Sequence, residues 1–156
     1  MDAATLIAMF EVSYGALTRN LEGITAEESL RAPDSGGNSL NWVLGHLLFH
    51  RNKMLSLLGA PPAWDSSLAA RYARGSAPLG PDDDAEPFEV LRAGFDRSQE
   101  ILLAALRGAS AETLAAANER GEPVAQRLAM LAFHEGYHGG QIGLLRRLLG
   151  HPGAIA

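Results

Sequence analysis

The stretch that decides the fold is residues 128–149, LAMLAFHEGYHGGQIGLLRRLL. Within it His134 and His138 stand four positions apart, and at about 100° per residue such a pair lies on one face of a helix. Leu128, Leu131, Ile142, Leu145 and Leu149 fall on the same stripe, so both imidazoles are expected to point toward a core. Two imidazoles in an apolar layer are costly unless something satisfies them, and a metal ion does so. The letters HEGYH also fit the metalloprotease pattern, in which Glu135 would be a general base. The continuation HGGQIGLLRRLLG stays helical and supplies no third ligand at a suitable distance, which argues against a protease.

Working outward, the same periodicity marks three more long helices. Leu6, Ile7, Phe10, Tyr14, Leu17 and Leu21 recur at spacings of mostly three and four over residues 3–21. Asn38 or Ser39 caps a second helix to about residue 58, where Gly59 and two prolines end it. A third runs from about Pro87 to residue 106, and Pro123 opens the fourth. Thr25 and Glu28 form a capping-box pattern over a short turn, Ser110 caps another short helix, and residues 66–74 suggest one more. The expectation is an all-α protein, a four-helix bundle with a long crossover between helices 2 and 3, as one domain over residues 1–156.

Composition narrows the function. Apolar residues make up 47% and charged residues 20%, a globular balance, and the formal charge of −5 with no basic run argues against nucleic acid. There is no cysteine, which excludes disulfides, zinc–thiolate sites and cysteine nucleophiles. The acidic N-terminus is not a secretory signal and no apolar run approaches a membrane span, so a cytoplasmic protein is expected.

A bundle builds a metal site from facing helices, and two histidines need a third ligand. His151 lies beyond the last helix and reads as exposed tail, whereas His46 and His50 both lie near the inner face of the second helix. Spacing alone does not choose between them. Trp42, one turn before His46, is placed to wall the same corner. Asn41, Arg51 and Asn52 read as polar helix surface, and Tyr137 as packing. Gly139, Gly140 and Gly143 weaken the last helix and suggest close approach of another helix or a ligand.

Two motifs carry a family resemblance that covers most of the chain. NSLNWVLGHLLFHRN, residues 38–52, is similar to a pattern with tryptophan shortly before Gly-His-Leu, and HEGYHGGQIGLLRRLLG, residues 134–150, to His-x-x-x-His-x-Gly-Gln. Both resemble the DinB-like superfamily of metal-dependent enzymes, which includes bacterial thiol-dependent transferases and the metal-binding domain of mycothiol-dependent maleylpyruvate isomerase. The resemblance implies metal ligands at His46, His134 and His138. His50, Gln141 and Glu135 become candidates around them: His50 as pocket residue, Gln141 holding a water or orienting a ligand, Glu135 anchoring a histidine N–H. Zinc and nickel both suit three imidazoles as the divalent ion, which would activate water or a low-molecular-weight thiol for transfer to a small-molecule substrate; the resemblance favours the thiol. Homodimerisation through the first or last helix is also implied. The competing expectation is a dimeric bundle that binds a metal or small molecule without turnover.

Overall fold

The computed structural model describes residues 1–155. Helix α1 (Ala3–Leu21) is followed by the short α2 (Ala26–Leu30), α3 (Leu40–Leu57), α4 (Phe88–Gly108), the short α5 (Ala111–Ala115) and α6 (Val124–Leu148). Among the described residues there is no strand, only an isolated bridge between Ala117 and Pro123. The caps are chemical. Asp2 accepts from the Thr5 N–H at 2.8 Å, Ser39 rather than Asn38 opens α3, and Thr25 and Glu28 close the expected capping box. The expected helix over residues 66–74 is a single 3₁₀ turn, Ala69–Tyr72.

Side-chain pairings give the direction of each helix. Ser13 meets Glu135 and a Gly139 Cβ would meet Leu17, so α1 and α6 run the same way. His46 meets both His134 and His138 while His50 meets His134, so α3 runs against α6. Arg51 meets Gln99 and Gly94 packs on Leu48, so α4 runs with α3. The order is up, down, down, up. Each of α1 and α3 packs against both α4 and α6.

Two consecutive parallel helices explain the crossover. The chain leaves the bottom of α3 and must return to its top before α4 can begin. It climbs along α3 by polar contacts: Asn52 accepts from the Ala63 N–H at 2.9 Å, His46 bonds the Tyr72 carbonyl at 2.7 Å, and Asn41 donates to the Glu86 carbonyl at 2.9 Å. Tyr72 is fully buried in this climb, its hydroxyl accepting from the Glu86 N–H and donating to Asn41. Its ring sits where α3 has no side chain, since a Cβ on Gly45 would stand 2.2 Å from it.

The core divides into two apolar clusters. One gathers Leu17, Leu44, Leu48, Tyr72, Phe95 and Ile142; the other gathers Leu6, Phe10, Met54, Leu102, Leu128 and Leu131. Arg51 lies between them, its guanidinium over the rings of Phe10 and Phe95. Arg51 and Asn41 are therefore buried, at 0% and 1% exposure, not polar helix surface as the sequence suggests. His151 is no free tail either: its ring lies 3.0 Å from the Glu28 carboxylate.

Candidate metal centre

The histidine site is built where α3 and α6 cross. The stripe on α6 behaves as the periodicity requires, with Leu128, Leu131, Ile142 and Leu145 buried and His138 beside them at 8% exposure. From α3, His46 reaches the same point, its Nε2 3.2 Å from Nε2 of His134, while Nε2 of His138 lies 3.1 Å from that same atom. One ring nitrogen from each of the three falls within 4.8 Å of the others, a group that could hold a metal ion. Two nitrogens each bound to one tetrahedral ion at about 2.1 Å would stand about 3.4 Å apart, close to the spacing found here.

The second nitrogens test whether the donors fit an ion. Nδ1 of His46 bonds the Tyr72 carbonyl at 2.7 Å, and Nδ1 of His138 bonds Oε1 of Gln141 at 2.6 Å. Both acceptors are oxygens, so both Nδ1 atoms carry the proton and both Nε2 atoms present lone pairs to the shared point. This is the arrangement in which an outer partner fixes a ligating tautomer. Nδ1 of His134 is buried and has no hydrogen-bond partner among the described residues. A proton on Nε2 of His134 would donate to those lone pairs in the metal-free protein, and a cation bound at the same point would replace it and draw on all three rings.

Burial acts in the same direction. Desolvation lowers the pKa of all four clustered histidines, to about 4 for His134 and about 3 for His50, with neighbouring imidazoles adding to the shift at His50, His134 and His138. The rings are neutral at neutral pH, the form that ligates. Trp42 does wall the corner, its ring stacked on His46 at 4.8 Å and 11° and its indole N–H donating to Ser76 at 3.0 Å.

The remaining candidates separate. His50 touches the cluster, its ring 4.6 Å from that of His46 and 4.4 Å from that of His134, but is not one of the three converging donors. Gln141 takes the orienting position on His138. Glu135 does not anchor a histidine. It is completely buried and forks onto Arg51, and one of its oxygens accepts from Ser13 at 2.8 Å. The neighbouring arginine captures the carboxylate because a buried charge needs its counter-ion more than a neutral imidazole needs an acceptor. Tyr72 escaped the sequence reading altogether, since it contributes a backbone carbonyl from irregular chain. Its one trace in the sequence is Gly45 directly before His46.

The chain matches the DinB superfamily over residues 9–142, which contains all of the clustered histidines. It belongs to that superfamily. A search among curated proteins finds no match. No helix among the described residues is long and apolar enough to cross a membrane.

Proposed function

We propose that the protein is a metal-dependent transferase, with His46, His134 and His138 as ligands of a divalent ion and a low-molecular-weight thiol, or water, as the activated nucleophile. The observation that carries this reading is the pair of oxygen-bound Nδ1 atoms, which turns the Nε2 lone pairs of His46 and His138 onto one point. An ion held there supplies Lewis acidity that lowers the pKa of a thiol or water. Zinc and nickel both suit imidazole ligands. The chain's own residues hold and orient: Tyr72 and Gln141 fix two rings, and Trp42 shields His46 on one side. With no cysteine in the sequence, the attacking sulfur comes from a small molecule, which fits a cytoplasmic setting where thiols stay reduced.

The test is metal content of the purified protein followed by thiol-conjugation assays on the untreated, chelator-treated and His138→Ala forms. Turnover that depends on metal and is lost in His138→Ala supports the proposal; turnover indifferent to both ends it. The rival reading is a bundle that binds a metal or metabolite without chemistry. For a metabolite, the open cleft of about 340 Å³ lined by Leu17, Asn20, Gly139 and Gly143 is a place apart from the three histidines.

The same reading includes a homodimer through α6. Phe133, Tyr137, Leu144 and Leu148 project from its outer face at 72%, 59%, 60% and 62% exposure. Their spacing of four, seven and four is the same in both directions about Gly140 and Gln141. A two-fold contact demands this self-complementarity. Gly140 leaves open backbone at the centre, and the stripe carries no charge. Light scattering is expected to give a dimer, and Tyr137→Lys with Leu144→Glu a folded monomer; a wild-type monomer refutes the contact.

A further inference from the structure

Arg51 heads the fully buried side chains by size, and Glu135 beside it is equally withdrawn from solvent. The two form a bidentate fork, Arg51 Nε onto one carboxylate oxygen and Nη2 onto the other at 2.9 Å. Gln99 accepts from Nη1 at 2.6 Å and Ser13 donates to the carboxylate at 2.8 Å. Each of the four long helices thus contributes one polar side chain to a single node: Ser13 from α1, Arg51 from α3, Gln99 from α4 and Glu135 from α6.

The node's place in the chain matters for the histidines. Arg51 directly follows His50, and Glu135 directly follows His134. Apolar packing between helices is non-directional, and alternative registers bury similar area. A planar fork is satisfied in one register only, because a slide of one residue, about 1.5 Å along the axis, breaks both bonds. Metal ligation tolerates only about 0.2 Å in its distances. The fork therefore supplies the directional constraint between α3 and α6 that the apolar clusters lack.

We propose that Arg51 and Glu135 are positioning residues for the imidazoles: their ion pair sets the α3–α6 register that brings His46 against His134 and His138. The inference rests on the metal reading for its purpose, but the convergence itself is measurable without metal. The principal variant is Arg51→Met with Glu135→Leu, since apolar replacement of a whole buried pair commonly preserves folding. In the metal-free full chain, ring-to-ring nuclear Overhauser effects between His46 and His134 are expected in the wild type and lost in the double variant. Zinc affinity, measured by chelator competition, is expected to fall about 10- to 100-fold, the usual cost of disturbing a ligand's support. A folded double variant that keeps both the ring contacts and the zinc affinity overturns the proposal.

Should the double variant not fold, Arg51→Lys decides, because lysine keeps the charge and cannot make the fork. Lost ring contacts and a changed cobalt(II) absorption spectrum support positioning; ring contacts as in the wild type refute it. A wild type that binds no zinc removes the metal reading, while the ring contacts still decide the role of the fork.

Discussion

Two polar assemblies share α3 and α6 and are one residue apart in sequence on each helix, yet they are finished differently. At the node, Arg51 and Glu135 find partners on all sides and exclude water completely. At the histidine cluster, two rings have their outer nitrogens fixed by oxygens while the inner nitrogens face one another, and Nδ1 of both His50 and His134 goes without a partner among the described residues. The contrast separates polar groups that close a structure from polar groups left ready for a ligand. A satisfied buried network specifies one arrangement. The three converging imidazoles are a group that could hold a metal ion.

The most severe consequence of substitution is expected at the node. Arg51→Met alone strands the Glu135 carboxylate in the core, and urea titration is expected to show a loss of about 3–5 kcal/mol, mostly recovered when Glu135→Leu is added. A single variant as stable as the wild type would mean the pair is not the buried, mutually dependent unit seen here. Next comes Gly45→Ala, whose Cβ would stand 2.2 Å from the Tyr72 ring. Overpacking of this kind costs about 1–3 kcal/mol in thermal or chemical denaturation. The displaced Tyr72 carbonyl should also weaken metal uptake, an effect that Gly140→Ala, with nothing within 4 Å, should not share.

Gln141→Ala leaves the bundle intact and removes only the acceptor on His138 Nδ1. Chelator competition is expected to show metal affinity reduced about 10- to 100-fold with little change in melting temperature. Acid acts separately, on the metal-free protein. His134 and His50 are pushed down to about 4 and about 3 from an ordinary 6.5, so the unfolded chain takes up protons first as the pH falls. Their contribution to stability is fully present above pH 6.5 and declines as pH drops toward 4 and below. Denaturation midpoints at several pH values check the sign, and stability that rises on acidification would contradict it.

The sequence showed the repeating units of this fold more clearly than its connections. All four long helices and the crossover follow from apolar spacing, from Ser or Pro at three of the helix starts, and from Gly and Pro at the ends; the Asp2 cap of α1 did not enter the reading. The α6 histidines were legible because a four-residue interval has geometric meaning within one helix. His46 was chosen over His50 only through family resemblance, since no local rule says which of two inward residues on α3 meets a helix 88 positions away. Arg51 and Glu135 were misplaced for a related reason. Arg51 read as solvated surface and Glu135 as a histidine's acceptor, because neither residue's counter-charge on the other helix can be known from spacing. Tyr72 was invisible because its contribution is a peptide carbonyl, which any residue type could provide.

The climb of the crossover along α3 makes loop length a control on the site. His46 is oriented by backbone belonging to no long helix, held in place by the Gly45 notch on one side and Asn41 on the other. Shortening the chain between Ala63 and Tyr72 would turn that imidazole while leaving every long helix untouched. A relative with a different crossover could therefore keep the whole bundle and all three histidines, and still present its metal with a differently aimed face.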